Sequence, residues 1–181
     1  MAGGQATDEE LLSAVREGDL RAFDALYDRY ERRLFGYLRR VSGDRDVAED
    51  LFQDVFITVI GDRTFDPAKG RFSAWLFTVA RNRCLEVQRR AGTHERKLQS
   101  LPPREPTEDA DETLSRARDV RAAMDELTDS QRQLLLLKQV GELTYRELAD
   151  IHGVAEGTIK SRLHTAMKAF RRRLAEIGQG T

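Results

Sequence analysis

The chain has 181 residues, which is enough for one large or two small domains, and its single cysteine excludes an internal disulfide. The 30 basic and 31 acidic residues give a net charge of −1, so a nucleic-acid partner would depend on how charge is distributed rather than on its total. No apolar run is long enough to span a bilayer and the polar, acidic amino terminus is unlike a signal peptide, so a cytoplasmic protein is expected.

Sequence motifs for catalysis, cofactors or metals are not found. There is no Gly-rich phosphate loop, HExxH pair or GxSxG elbow, and no Cys/His cluster with zinc spacing. Cys84 is expected to pack as a small apolar residue. The sequence therefore predicts no enzyme activity, no cofactor and no metal site.

The first ninety residues carry apolar side chains at helical spacing. Between Leu11 and Val41 this spacing predicts two helices divided at Gly18. A third helix is predicted with Asp46 as N-cap and Glu49 three positions on. The apolar positions expected to be buried, at intervals of four, are Val47, Leu51, Val55 and Val59. The other face carries a polar and acidic set, Glu49, Asp50, Gln53 and Asp54.

A fourth helix is predicted after a loop that contains the breakers Gly61, Pro67 and Gly70. Its first turns hold the apolar residues Phe72, Trp75, Leu76 and Val79. It then becomes basic, with Arg81, Arg83, Arg89 and Arg90.

The segment 93–118 is predicted to be a flexible linker. It lacks helical periodicity, holds three of the four prolines and contains an acidic run. It divides the chain into an amino-terminal domain, 1–92, and a carboxy-terminal domain, 119–181. Because every element on both sides has helical spacing, the predicted fold is all-α with two small helical domains.

The second domain contains a predicted helix-turn-helix. Thr128 and Gln131 form a capping box that begins a scaffold helix, and Thr144 and Glu147 form another that begins the first helix of the motif. Gly153 supplies the turn, since a residue without Cβ can adopt the left-handed conformation. The second helix then has one apolar face, formed by Ile159, Leu163, Ala166 and Phe170.

The second helix of this motif is also strongly basic. From Gly157 to Arg173 there are six basic residues and no acid, a pattern that suits DNA phosphates and base edges. A solvated helical face is the alternative, but the capping box, the turn and the apolar face favour DNA. His164 is interpreted as a groove or surface residue, because His94 and His152 have no zinc-like spacing with it.

Three segments resemble the bacterial sigma factors of the extracytoplasmic-function class: DVAEDLFQDVF (46–56), FSAWLFTVARNRC (72–84) and LTYRELADIHGVAEGTIKSRL (143–163). Their order and separation match as well. The resemblance implies a subunit that binds core RNA polymerase and directs it to promoters, with the first domain at the minus-ten element and the second at the minus-thirty-five element. It implies no active site. An anti-sigma partner is expected from family habit, although no residue identifies one.

The resemblance also implies roles for individual residues in the first domain. The core-polymerase set is Glu49, Asp50, Gln53 and Asp54. For Asp46 and Glu49, an alternative is that they only satisfy free N–H groups and the helix dipole. The minus-ten DNA set is Arg81, Asn82, Arg83, Arg89 and Arg90, with Asn82 where the family holds a flipped base. Phe72 and Trp75 are candidates for stacking on unpaired bases, but core packing is the favoured interpretation.

The resemblance gives the second domain a minus-thirty-five DNA set. Its members are Thr144, Arg146, Thr158, Lys160, Ser161, Arg162, His164, Thr165, Lys168 and Arg171. Two positions depart from the family pattern, since Glu86 stands where Asp is common and Thr165 where Arg is usual. Without that arginine a bidentate contact to guanine is lost, so the promoter sequence of better-known members cannot be transferred.

The sequence is also compatible with two other functions. The chain could be an operator-binding helix-turn-helix regulator that acts without polymerase, with a sensing or dimerising first domain. It could also be a helical adaptor that binds only protein. The polar face from Glu49 to Asp54 and the basic ARN segment at 80–82 argue against the regulator, since a sensor domain needs neither.

Overall fold

The computed structural model describes residues 6–91 and 111–178. Within these ranges every regular element is an α-helix, which confirms the predicted all-α fold. The helices are α1 (Asp8–Arg16), α2 (Leu20–Ser42), α3 (Arg45–Gly61), α4 (Phe72–Ala91), α5 (Asp111–Asp125), α6 (Asp129–Gln139), α7 (Tyr145–His152) and α8 (Glu156–Gly178). They form two compact units, one containing α1 to α4 and the other α5 to α8.

Local signals set the ends of the first two helices. Thr7 Oγ1 accepts a bond from the Glu10 N–H at 3.2 Å while the Glu10 carboxylate accepts one from the Thr7 N–H at 2.8 Å, a complete capping box. Gly18 has φ +95°, in the left-handed region that favours glycine. Asp19 then caps α2 by accepting backbone N–H bonds. The predicted break at Gly18 is confirmed.

The start of α3 corrects the sequence prediction, because Asp44, not Asp46, is the N-cap. Asp44 Oδ1 accepts bonds from the N–H groups of Asp46 at 2.8 Å and Val47 at 3.1 Å. Gly43 ends α2 in the left-handed conformation, φ +75°, and leaves Asp44 extended, the backbone that an N-cap requires. Asp46 therefore lies inside the first turn.

The buried stripe of α3 differs from the predicted one at its start. Its buried residues are Ala48, Leu51, Phe52, Val55, Phe56 and Val59, whereas Val47 is half-buried. Four residues turn a helix by about 400°, so a row at intervals of four drifts by about 40° per step. The prediction for Val47 was wrong because that drift leaves it at the edge of the stripe.

The core of the first unit forms around α2, which packs against α1, α3 and α4. The largest side chains with less than 2% exposure here are Tyr37, Phe72, Phe77, Leu12, Leu26, Leu34, Leu38 and Leu76. Glu9 of α1 also accepts a bond from the Phe72 N–H at 3.1 Å, so α1 satisfies a free donor at the start of α4. The position of α4 thus depends on all three other helices.

The loop between α3 and α4 contributes an aromatic side chain to this core. The ring of Phe65 is 9% exposed and lies 5.9 Å from the Phe72 ring and 5.1 Å from the Trp75 ring. Phe72 is fully buried, which agrees with core packing, while Trp75 is half-buried. Trp75 therefore keeps part of its ring at the surface.

In the second unit α8 packs against α5, α6 and α7. The predicted capping box before α6 is confirmed, with Thr128 and Gln131 exchanging bonds of 3.1 and 3.3 Å. Helix α5 begins at Asp111, so residues 111–118, which were predicted as linker, are helical. The predicted linker residues 93–110 lie outside the described ranges.

Candidate functional site

The outer face of α3 holds the predicted polymerase-binding set. Asp50, Gln53 and Asp54 are exposed, opposite the buried stripe. Glu49 is half-buried and accepts a bond of 2.7 Å from Arg45 Nε, so its charge is partly neutralised within the helix. Two carboxylates and one amide are therefore presented together to solvent.

The same face also carries apolar residues that the sequence interpretation missed. Ile57 is 68% exposed and Ile60 is 36% exposed. Ile57 lies four positions after Gln53 and three after Asp54, a spacing that brings side chains together on a helix. Counting four residues on from Gln53 along the helix would have placed Ile57 on this face.

The basic end of α4 is more deeply embedded in its domain than the sequence suggested. Asn82 is exposed, but Arg81 and Arg83 are half-buried. Arg83 donates to Glu86 Oε2 at 2.9 Å and to Thr58 Oγ1 of α3 at 3.0 Å. Its guanidinium therefore joins α4 to α3, a contact that no local sequence pattern indicated.

Two further polar groups of this region are buried. Among the described residues, Arg81 Nε and the Tyr37 hydroxyl have no hydrogen-bond partner. Burial raises the pKa of Tyr37, so its hydroxyl stays neutral.

Arg89 and Arg90, farther along α4, are exposed, and Arg89 Nε donates to the Leu85 carbonyl at 3.3 Å.

Cys84 lies on the inner side of α4 and is 2% exposed. Burial raises the pKa of its thiol to about 12, so the thiol stays protonated at neutral pH. It is an apolar packing residue, as predicted.

The helix-turn-helix has the predicted local structure. Thr144 and Glu147 form a complete capping box at the start of α7, with bonds of 2.7 and 3.2 Å. Gly153 ends α7 in the left-handed conformation, φ +62°. Ile159, Leu163 and Ala166 of α8 are buried, while Phe170 is half-buried. The apolar face of α8 therefore fixes its orientation against the rest of its unit.

The outward side of α8 presents the predicted base-reading and phosphate-binding residues. The exposed members are Thr158, Lys160, Ser161, Arg162, His164, Thr165, Lys168 and Arg171. Thr144 and Arg146 are exposed at the start of α7. Arg173 differs from this group, since it is half-buried and pairs with Glu126 and Glu176 at 3.1 Å each.

The sequence interpretation did not select Tyr145, an aromatic residue that lies at this surface. Tyr145, the first residue of α7, is 40% exposed, and its ring centre lies 4.9 Å from Lys138 Nζ and 5.5 Å from Lys160 Nζ. Lys160 also pairs with Glu156 at 2.8 Å. The hydrogen bond to Glu156 raises the pKa of Lys160, which is therefore charged at neutral pH.

Residues 6–91 and 111–178 contain no group of three or more His, Cys, Asp or Glu side chains placed to hold a metal ion. In the same ranges, no helix is both long enough and apolar enough to cross a membrane.

Comparison with known proteins assigns both units. Residues 26–93 match Sigma-70 region 2, and residues 117–170 match Sigma-70 region 4. The sigma factor SigK of Mycolicibacterium vanbaalenii is 32% identical over 171 residues, which cover 91% of this chain and 87% of that protein. The chain belongs to the ECF RNA polymerase sigma factors. The family resemblance of the three segments is thereby confirmed.

A second sigma factor and two solved structures are also similar to this chain. The sigma factor RpoE of Cereibacter sphaeroides is 31% identical, over 91% of this chain and 93% of its own. The sigma factor RpoE of Bartonella quintana, solved in complex with the anti-sigma factor NepR, has a TM-score of 0.65 and 26% identity, covering 87% of this chain and 96% of its own. The structure of CnrH in complex with the cytosolic domain of CnrY has a TM-score of 0.70 over 93% of this chain and 97% of its own, and at 22% identity it shows a shared fold.

This sigma factor accordingly binds core RNA polymerase and directs promoter-specific initiation of transcription, as its sequence predicted. The region 2 match contains α3 and α4 up to the end of the basic segment, and the region 4 match contains α6, α7 and most of α8. The family is a class of non-enzymatic initiation factors. The roles of individual residues remain predictions.

Proposed function

We propose that the two described units carry three binding surfaces, one for core RNA polymerase and two for the promoter. The outer face of α3 binds core RNA polymerase through Glu49, Asp50, Gln53 and Asp54. The exposed basic end of α4 holds the minus-ten element. The outward side of α8, with the start of α7, binds the minus-thirty-five element.

One observation carries this proposal: exposed acidic and basic groups are segregated on different helices. The α3 face presents carboxylates and an amide, whereas α8 presents lysines and arginines on the side opposite its buried face. An acidic, polar surface favours a basic protein partner, and a basic helix favours nucleic acid. A net charge of −1 is compatible with both, because the charges lie in different places.

At the minus-ten element, Asn82 is the residue proposed to read a base. Its amide both donates and accepts, so it can bind a base edge, and its exposure on α4 leaves it accessible. Arg81, Arg89 and Arg90 are proposed to hold the adjacent backbone. Arg83 supports the surface from behind, since its guanidinium is bonded to Thr58 and Glu86.

The chain has no catalytic activity of its own. It works in the cytoplasm, where core polymerase and chromosome are found. An anti-sigma protein holds it inactive, a suggestion supported by the similar sigma factor that was solved in complex with NepR.

Size-exclusion chromatography with purified core polymerase tests the proposal. We expect the free chain to elute as a monomer and to bind duplex promoter DNA weakly, and the mixture to elute as a holoenzyme that binds the same DNA tightly. A chain that dimerises, ignores core polymerase and binds a specific duplex at nanomolar affinity would instead be an operator-binding regulator.

A further inference from the structure

A hydrogen bond joins the side of α3 to the side of α4 next to Asn82. Arg83 Nη2 donates to Thr58 Oγ1 at 3.0 Å, and Arg83 Nη1 donates to Glu86 Oε2 at 2.9 Å. The Thr58 hydroxyl is also held within α3, because it donates to the Asp54 carbonyl at 2.7 Å. Since its one proton is used in that bond, the hydroxyl has only lone pairs to offer the arginine. Both partners of the bond are therefore oriented by their own helices.

This bond lies where α4 leaves the core of its unit. Ala80 and Cys84 are buried on the inner side of α4, and Cys84 is the last buried residue in the described part of that helix. The side chains of residues 85–90 are half-buried or exposed. Beyond Cys84, apolar packing no longer buries α4. The polar contact of Arg83 with α3 therefore helps to hold α4 at its exit from the core.

The rotation of α4 about its own axis decides where Asn82 points. Adjacent residues of an α-helix are about 100° apart, so a rotation that carries Arg83 away from α3 also swings Asn82. The bond between Arg83 and Thr58 opposes that rotation. Both side chains are half-buried, where water competes less for a hydrogen bond than it does at full exposure. The direction of Asn82 thus depends on a hydroxyl that belongs to another helix.

We propose that Thr58 is a positioning residue for opening of the minus-ten element. Its hydroxyl holds the Arg83 guanidinium, and that guanidinium holds α4 in the rotation that presents Asn82 to a base. The proposal rests on the proposed function, in which Asn82 reads that base, and adds to it a residue of α3 that does not contact DNA. Arg83 acts here through its two forked bonds rather than as a charge on a phosphate.

Thr58→Val tests the hydroxyl, because valine keeps the branched shape of threonine and loses the bond. On a promoter found by run-off transcription, the variant holoenzyme should form open complexes with an equilibrium constant about threefold to tenfold lower, the range that one net hydrogen bond spans. Permanganate footprints over the minus-ten element, taken with saturating core polymerase, measure this. Thr58→Ser keeps the hydroxyl and should open the promoter as the parent does. Association with core polymerase should be unchanged in both variants.

Base preference separates positioning from a general loss of structure. In selection from a pool randomised over the minus-ten element, Thr58→Val and Asn82→Ala should relax the preference at the same single position. Added to Asn82→Ala, Thr58→Val should have little further effect, because residues that act through one contact are not additive. Arg83→Lys keeps the charge but not the fork, so it should behave as Thr58→Val. It also carries the test if the valine variant does not fold.

Thr78→Val is the matched control for the loss of a hydroxyl. Thr78 is half-buried on α4, four residues before Asn82, and donates to the Ala74 carbonyl at 2.7 Å. Thr58 makes the same kind of bond within α3 to Asp54, also at 2.7 Å. Thr78→Val should therefore keep the parent's base preference. Circular dichroism checks that every variant is folded.

The outcomes distinguish this inference from the function on which it rests. If Asn82→Ala relaxes the preference while Thr58→Val keeps it, the bond does not position Asn82 and the inference is wrong. It is also wrong if Thr58→Ser fails as the valine variant does, or if Thr78→Val relaxes the same position. Opening by Arg83→Lys at the parent's level would show that the arginine acts by charge, and a loss of core association in Thr58→Val would place Thr58 in the polymerase surface; either overturns the inference. If Asn82→Ala changes neither opening nor preference, the role proposed for Asn82 fails, and the inference with it.

Discussion

The basic end of α4 and the outward side of α8 carry similar residue types in different settings. On α4, Arg83 is bonded to Thr58 and Glu86, and Arg81 is half-buried, so these side chains belong partly to the domain. On α8, the buried contacts are made by apolar residues such as Ile159 and Leu163, while polar side chains such as Arg162 face solvent.

This difference separates the two surfaces that are proposed to bind DNA. We expect substitutions of Arg81 or Arg83 to change packing, because both side chains are half-buried. A substitution on the outward side of α8 changes DNA contact with little effect on stability, since surface changes normally alter stability by no more than about 0.5 kcal/mol. We therefore expect the proposed minus-thirty-five surface to accept substitutions without refolding, and the half-buried arginines of α4 to be constrained by the fold.

The largest effect is expected where α4 enters the core. Phe72→Ala removes a fully buried ring in contact with Phe65 and Trp75, and should lower the free energy of unfolding of the first unit by about 3–5 kcal/mol. Trp75→Ala should lower it less, because Trp75 is half-buried. Denaturant unfolding of Phe72→Ala can be followed by the fluorescence of Trp75, the single tryptophan. An unchanged midpoint would mean that α4 does not depend on this contact.

Asn82→Ala tests the exposed part of α4 without disturbing its core. It should leave minus-thirty-five binding intact but slow strand separation, because extruding a base costs a few kcal/mol that the lost contact no longer offsets. Potassium permanganate footprints of open complexes measure this on duplex templates. Templates already mismatched over the minus-ten element should restore part of the signal. Equal footprints for parent and variant would make Asn82 a structural residue.

On α8, Thr165→Arg should sharpen or shift the selected minus-thirty-five sequence at one position. A hydroxyl and a methyl choose weakly among bases, whereas arginine makes a two-pronged contact to guanine worth roughly 1–3 kcal/mol of discrimination. Selection from a randomised minus-thirty-five pool measures the preference.

Arg171→Ala is the matched control on the same helix. It should weaken binding to all sequences alike and lower the salt slope by about one unit. If Arg171→Ala altered the selected sequence while Thr165→Arg did not, the orientation of α8 in the groove would be the reverse of the one proposed.

The smallest expected effect on stability is at the α3 face. Gln53→Ala combined with Asp54→Ala should change stability by no more than about 0.5 kcal/mol, since both side chains are exposed, yet reduce association with core polymerase. The double variant and the parent compete for a limiting amount of core polymerase, and the transcription that each supports measures its association. Equal transcription would place the polymerase contact elsewhere.

Local signals explain why much of the fold was predictable. The capping boxes at Thr128 and Thr144 and the glycines at 18 and 153 each act within a few residues, so sequence alone located these helix ends. The start of α3 was misplaced because Asp44 and Asp46 both suit an N-cap. Only the end of α2 at Gly43 decides between them.

Contacts between distant residues could not be read from spacing. The Arg83 bond to Thr58 spans 25 positions, and the approach of Lys138 and Lys160 to Tyr145 joins three helices. Phe65 lies in a loop whose sequence is mostly polar, so nothing local indicated that it packs against Phe72 and Trp75. Such contacts depend on how helices pack, which periodicity does not specify.

The central claim is that this chain gives core RNA polymerase its promoter specificity. Run-off transcription with purified core polymerase over a genomic promoter library, with and without the chain, tests it most directly. We expect discrete start sites that appear only when the chain is present, with shared minus-ten and minus-thirty-five sequences upstream of them. The same transcripts with and without the chain, together with tight operator binding by the chain alone, would contradict the account.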